Sequence, residues 1–469
     1  MQKSPAYPLG LFFKIMRREM SQLLDNDNVY QFVTETTYEV LPESVKLHAK
    51  RCLKDLVSTL ASGSLTPTSR IINDFAKLSF GSVPGAVMAP SMAHGDRLSI
   101  SGAALVDATT IDAIDAHDGH ALTKGHVGCS IIGALAAIVS GGERNYTGKE
   151  ILTKLVIGYE LGTRFGIALH RTTADYHSSG AWNALTCAAL VSDHLDLNNE
   201  QFEHALGIAE YNGPRSQLMR DVDHPTMVKD GSGWGAMVGV SAAYMARLGF
   251  TGAPALIFKD TCVADTWEDL GNNWYILEQY FKPYPVCRWA HPAIDAVLML
   301  KKMHGITIQD VKRVVVRTFH EASRLSKVKP ETSDQAQYAT CFPIAVALSK
   351  SRVLPQDVAD ENLKDPVVLD IFDKIEIVEE LEFSKRFPAE RLAAVDIYLV
   401  DGSLHSSEPF ISRGDPKNPL SESEIEEKFF SMCVPVWGEE KSCRVIGFIN
   451  AIDMDDNVDA AELFALIRA

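Results

Sequence analysis

The sequence predicts a mainly α-helical protein with a large all-helical domain and a smaller α+β domain. Three observations carry this expectation. From about residue 27 to 262, apolar side chains recur at spacings of three and four, the mark of amphipathic helices. After Pro283, β-branched runs alternate with helical stretches. A chain of 469 residues is also too long for one ordinary core, so two domains are the natural division. The boundaries are set at 20–265 and 413–469 for the helical domain, with 266–412 as the α+β domain.

In chain order, "NDNVYQFVTETTYEVL", "ESVKLHAKRCLKDLVSTLA", "CSIIGALAAIVSGG", "GKEILTKLVIGYELGTRFGIAL", "SSGAWNALTCAALVSDHL" and "NEQFEHALGIAEYNG" each read as a helix. Asn26, Thr147, Ser178 and Asn199 stand where N-caps belong. Frequent Ala and Gly let such helices approach closely. In the second region, "AHPAIDAVLMLKKMHGI" and "QYATCFPIAVALSKSRV" read as helices, and "VKRVVVRTF" and "KIEIVEEL" as strands. "RLAAVDIYLVDGSLHSSE" opens a hairpin that turns at Asp401-Gly402. The tail, from "PLSESEIEEKFFSMC" to "AAELFALIRA", is helical and returns to the first domain.

Composition excludes several classes of function. Hydrophobic residues make up 46% and charged residues 23%, as in soluble globular proteins. A net charge of −16 repels a phosphate backbone, so no nucleic-acid partner is expected. The eight cysteines show no C-x-x-C spacing and read as reduced thiols of a cytosol-like compartment. No apolar run reaches the roughly 18 residues of a membrane span. The opening "PLGLFFKIMRREM" carries Arg17 and Arg18 after its apolar patch, the reverse of a signal peptide. A cytoplasmic protein is expected, with a mitochondrial presequence as the alternative and Met20 as a second possible start.

The stretch "IDAIDAHDGHALTKGHVGCS" (111–130) crowds three aspartates, three histidines and a lysine against the start of an apolar helix. A solvated loop with capping aspartates, a metal site and acid/base chemistry all fit its composition. The string D-x-H-D-x-H is not a specific ligand pattern, and no metal is expected. Elsewhere His177, Lys229 and Tyr338 likewise stand at helix entries, and Lys282, Arg288 and His291 cluster at the domain junction. Gly231-Ser-Gly233-Trp-Gly235 follows no strand, so it is a poor dinucleotide fingerprint.

Together these segments resemble the MmgE/PrpD family, which includes 2-methylcitrate dehydratase, cis-aconitate decarboxylase and iminodisuccinate epimerase. "ATTIDAIDAHDGHALTKGH" resembles its A-x-D-F-D-D…H segment and places Asp115, Asp118 and His126. "DYHSSGAWNALTCAAL" is similar to W-H-x-x-x-x-x-G and places His177. "TMVKDGSGWGAM" is similar to M-x-K-x-x-x-x-G and places Lys229. "KPYPVCRWAHPAIDAV" is similar to K-x-x-P-x-C-x-x-x-H and places Lys282 and His291. Tyr338 falls, more loosely, where the decarboxylases carry an active-site tyrosine. Two departures stand out: His117 replaces the family's second aspartate, and its H-P-S triplet reads "HVGCS" here.

The resemblance implies an α+β lid over the helical domain, a site between the two, a homodimer and no cofactor. It also implies a lyase for a small anionic carboxylic acid, most like a 2-methylcitrate dehydratase. A cis-aconitate-type decarboxylase, a dicarboxylate epimerase and a non-catalytic carboxylate-binding protein are the alternatives. Asp115, His126, His177, Lys229, His291 and Tyr338 are the expected catalytic set, with Asp115 and His126 as its acid/base pair. Lys229, Lys282 and Arg288 are expected to hold substrate carboxylates.

Overall fold

A computed structural model describes residues 27–82, 84–325 and 327–468. The opening segment with Arg17, Arg18, Met20 and the cap expected at Asn26 lies outside them. The protein is mainly α, with 58% helix and 10% strand. Among the described residues no helix is long and apolar enough to cross a membrane.

The helical part comprises α1 (Asp27–Glu35), α2 (Glu43–Gly63), α3 (Pro67–Phe80), α4 (Ile100–Asp112), α5 (Gly128–Gly141), α6 (Gly148–Thr172), α7 (Gly180–His194), α8 (Asn199–Asn212) and α9 (Ser232–Arg247). A two-stranded hairpin, β1 (Met88–Pro90) and β2 (Arg97–Ser99), interrupts it before α4. Local chemistry sets the helix starts. Thr147 and Glu150 close a capping box on α6. The cap of α8 is Asn198 with Gln201, one residue before the expected Asn199. Helices α7 and α9 meet through small residues: a Cβ on Gly239 would fall 2.4 Å from the Ala184 carbonyl oxygen, so only glycine permits that approach.

The second part holds α10 (His291–His304), β3 (Val311–Thr318), α11 (Cys341–Lys350), α12 (Pro366–Phe372), β4 (Ile375–Glu379), β5 (Leu392–Leu399), β6 (Leu404–Ser406) and β7 (Phe410–Ile411). The sheet runs β4-β3-β5-β6, with β7 also paired to β5. β3 and β4 are parallel and the other pairings antiparallel. α13 (Glu422–Ala451) and α14 (Ala460–Ile467) follow, α13 breaking at Gly438 three residues after Pro435.

Buried apolar residues form two large clusters. One joins α1–α9 with α13 and α14, and the other joins α10–α12 with the sheet. The segments leading into α5, α7, α9, α10 and α11 converge where the two clusters meet.

Candidate active site

Asp115 lies just beyond the C-terminus of α4, and His126 two residues before α5. The chain between them is no solvated loop. Asp115, His117, Asp118, His120 and His126 are all buried, and only Leu122 within it is exposed. This overturns the solvated-loop alternative: the stretch is enclosed by Tyr280, Lys428, Tyr159 and the entry to α7.

Asp115 forms an ion pair with Lys282, and its Oδ1 stands 3.8 Å from His126 Nε2. Burial pushes the Asp115 carboxyl up, but Lys282, His126 and His117 outweigh it and hold the group well below the ordinary carboxylate range. Asp115 is therefore ionised. On the same imidazole, Nδ1 lies 2.5 Å from the Asp118 carbonyl oxygen. A carbonyl only accepts, so Nδ1 carries the proton and Nε2 presents its lone pair. Burial, then Lys282 and His117, push the His126 pKa well below its ordinary value, which keeps the ring neutral. The His117 ring packs edge-on against it at 4.3 Å.

Asp230, beside Lys229, was not singled out from sequence. Its Oδ2 lies 3.6 Å from His126 Nε2 and accepts from Ser179 Oγ at 2.8 Å. Ser179 Oγ in turn accepts the backbone N–H of His126 at 2.9 Å. Burial and the carboxylates of Asp112 and Asp221 raise the Asp230 pKa well above the usual range. Two carboxyl groups thus face one imidazole nitrogen, one held well below the usual carboxylate range and the other pushed well above it.

Lys229 has a left-handed backbone (φ 46°), a strained conformation for a non-glycine residue. Its ammonium meets Asp334 at 3.0 Å and donates to Gln337 Oε1 at 3.0 Å. The same Gln337 oxygen accepts the Asp115 backbone N–H at 2.8 Å, which ties Lys229 to Asp115 through one side chain. The Tyr338 ring lies 5.1 Å from the Lys229 ammonium, and burial first, then Asp221, raises its phenol well above the ordinary value. Asp221, also buried, is pushed up to about 7 by burial despite the nearby Lys229.

His291, the first residue of α10, directs Nε2 to the Val286 carbonyl oxygen at 3.0 Å, and Nδ1 has no hydrogen-bond partner among the described residues. Arg288 donates to the Arg413 carbonyl at 2.8 Å. His177 stands apart from this cluster in its contacts. It is partly exposed, its backbone N–H donates to His170 Nε2 at 3.1 Å, and it pairs with Gln217.

Sequence reasoning missed Asp230, Ser179, Gln337, Tyr280 and Arg391. Asp230 and Gln337 directly adjoin Lys229 and Tyr338, which was a usable signal. Nothing local marks Arg391, at the edge of β5. A cavity of about 520 Å³ opens beside Gln337 and Ile114, and one of about 160 Å³ beside Lys229 and Asp112.

Asp115, His117 and His126, and likewise Asp112, His117 and Cys129, bring ligand-type atoms within 4.8 Å of one another. Lys282 already neutralises Asp115, and the Cys129 thiol, raised well above its ordinary pKa by burial, donates to Ser232 Oγ at 3.1 Å.

Comparison with known proteins identifies relatives of the whole chain. The chain is 23% identical, in an alignment of 489 residues, to the cis-aconitate decarboxylase-like protein oryM of Aspergillus oryzae, covering 93% of this chain and 95% of that one. It is 21% identical to human cis-aconitate decarboxylase, covering 83% of each. It is 26% identical to the mitochondrial 2-methylcitrate dehydratase of Yarrowia lipolytica, covering 47% of this chain and 46% of that one. The MmgE/PrpD N-terminal domain model matches residues 27–267 and the C-terminal domain model residues 284–453. With both domains matched in order over most of its length, the chain belongs to the MmgE/PrpD family.

Proposed function

We propose that this protein is a metal-independent lyase that removes water from a small di- or tricarboxylic acid, as 2-methylcitrate dehydratase does. The observation that carries this reading is the environment of His126 Nε2, which faces Asp115, held well below the usual carboxylate range, at 3.8 Å and Asp230, pushed well above it, at 3.6 Å. Dehydration needs both halves of such a set. Neutral His126 takes the proton α to a carboxylate, the C–H electrons become the new double bond, and the hydroxyl leaves with a proton from a nearby acid. Asp230 and Tyr338 are the candidate acids. Lys229 and Lys282 balance charge that grows on the substrate carboxylate.

Decarboxylation is the second reading. The two relatives named for it match 93% and 83% of this chain, against 47% for the dehydratase. There the C–C bond electrons stay on the substrate as carbon dioxide leaves, and the same acid delivers the proton. The enzyme is read as a homodimer without a cofactor. Exposed Ile71, Phe75 and Trp234, with Phe75 and Trp234 rings 6.5 Å apart, support that assembly. A cytoplasmic or mitochondrial compartment fits the reading, the second because one relative's name is mitochondrial.

The test is incubation with a panel of di- and tricarboxylic acids, followed by mass spectrometry in normal and heavy water. Loss of water supports the dehydratase and loss of carbon dioxide the decarboxylase. Deuterium uptake without mass loss marks an epimerase. No change with any acid leaves a carboxylate-binding protein.

A further inference from the structure

Two arginines pack on one tyrosine beside the acid/base cluster. The guanidinium carbons of Arg288 and Arg391 lie 4.8 and 5.3 Å from the centre of the Tyr280 ring. That ring in turn stands edge-on to His126, centroids 6.5 Å apart. Tyr280 is two residues before Lys282, so one short segment carries the aromatic platform and the partner of Asp115.

Both guanidiniums are buried, at 3% and 7% exposure, and neither is fully satisfied. Arg288 Nη1 donates to the Arg413 carbonyl, but among the described residues Nη2 has no hydrogen-bond partner; the Asp415 carboxylate stands 3.8 Å away and partly exposed. Arg391 Nη2 donates to the Ala121 carbonyl at 3.2 Å, while among the described residues Nε and Nη1 have no partner. Among the described residues Arg391 has no carboxylate within 4.0 Å. Two adjacent like charges with spare donors are costly to bury, and a fold retains them where an anion completes them.

We propose that Arg288 and Arg391, seated on Tyr280, form an anion subsite that takes a second carboxylate of the substrate. The proposal rests on the di- or tricarboxylic-acid reading above and assigns the carboxylates to places: one meets Lys229 or Lys282 beside His126, the other the arginine pair. A planar guanidinium matches a carboxylate with two parallel N–H donors, which an ammonium cannot do. Burial, together with Arg391, brings the Arg288 pKa down to about 10, as expected of a cation short of counter-charge. Arg391 comes from the β5 side and already bonds Ala121 of the helical side, so an anion on its spare Nε and Nη1 would lie where the two sides meet. A monocarboxylate would leave the pair unmatched, which is how the site would discriminate against it.

The test measures calorimetric binding of maleate (two carboxylates) and crotonate (one) to the full chain, with sulfate as a bare anion followed by thermal shift. Arg391→Gln should weaken maleate by about tenfold or more, the usual scale for losing a charge-assisted pair. It should leave crotonate within about twofold. Arg391→Lys, which keeps the charge, should fall between and controls for misfolding, as does circular dichroism. An unchanged maleate-to-crotonate ratio in both variants overturns the subsite and leaves the lyase reading standing. If the wild type binds neither acid, the carboxylic-acid reading fails. Sulfate then decides the subsite alone: a thermal shift lost in Arg391→Gln upholds it, and an equal or absent shift overturns it.

Discussion

Asp230 Oδ2 stands 3.6 Å from His126 Nε2, the nitrogen that also faces Asp115 Oδ1 at 3.8 Å. Lys282 holds Asp115 ionised, whereas burial and the neighbouring Asp112 and Asp221 push Asp230 well above the usual carboxylate range. Like carboxyl groups pushed apart in this way can divide acid and base work between them.

The first prediction uses that asymmetry. His126→Gln and Asp115→Asn should each lower kcat by about 10²-fold or more on the true substrate. Asp115 is ionised across the whole working range, so its loss should be nearly independent of pH. Asp230 contributes as an acid below its raised pKa and loses that capacity as pH rises through it. Asp230→Asn should therefore lower kcat and remove the alkaline limb of the pH–rate profile. A normal kcat with that limb intact would reduce Asp230 to a structural role.

The second prediction concerns the buried pair of Lys282 and Asp115. Lys282→Met strands a buried carboxylate, so it should lower unfolding free energy by about 3–5 kcal/mol at neutral pH. Without its cation Asp115 titrates above its unfolded value of about 4, and the deficit should narrow as pH falls toward that value. Urea unfolding of the wild type, Lys282→Met and Lys282→Met/Asp115→Asn near both pH values measures it. The double variant should recover part of the loss. A deficit equal at both pH values would argue for lost packing rather than lost charge.

Much of this arrangement was legible in the sequence, for a specific reason. Asp115, His126, Lys229, His291 and Tyr338 are polar residues on the entries and exits of apolar helices, a contrast that periodicity exposes. The β3, β4 and β5 runs are short and rich in β-branched residues, so they also read directly. α4 was not read as a helix because it is buried nearly all round and has no polar stripe to set a period. The β1–β2 hairpin is only three residues a side, below the length at which alternation is detectable. Arg391 and Gln337 act through contacts more than 200 residues distant in sequence, which no local pattern encodes. The burial of 115–126 was hidden similarly, since composition cannot distinguish a solvated polar loop from an enclosed one.

The third prediction is metal independence. The chain places Asp115, His117 and His126 within ligand reach of one another, but Lys282 already supplies the cation there. Exhaustive chelation should leave turnover unchanged, and elemental analysis should find no stoichiometric zinc or iron. Activity lost on chelation and restored by one metal would reassign the cluster.

The fourth prediction addresses assembly. Ile71 and Phe75 of α3 and Trp234 of α9 are exposed, and Leu78 is 89% exposed, on helices whose other faces are packed. A homodimer that covers them should sediment as one species of twice the chain mass. Phe75→Glu with Trp234→Glu should shift it to monomer while each chain stays folded. A dimer unaffected by both charges would place the interface elsewhere.

The last prediction contrasts two glycines. A Cβ on Gly119 would fall 2.5 Å from the Tyr280 hydroxyl and 2.8 Å from His126 Nδ1, both closer than atoms pack. Tyr280 cannot easily retreat, since Arg288 and Arg391 press on its ring, and His126 is fixed by its bond to the Asp118 carbonyl. Gly119→Ala should therefore displace the imidazole and lower kcat by about 10²-fold, the scale of a misplacement near 1 Å. Its cost in stability should stay within about 1–3 kcal/mol, typical of overpacking. Gly447, inside α13, has nothing within 4 Å of an added Cβ. Gly447→Ala should raise stability by up to about 1 kcal/mol through helix propensity and leave kcat unchanged. Thermal unfolding and steady-state rates on both variants separate the two effects. Near-normal turnover in Gly119→Ala would mean that the His126 ring tolerates movement, and the proton-transfer role of His126 Nε2 would fail.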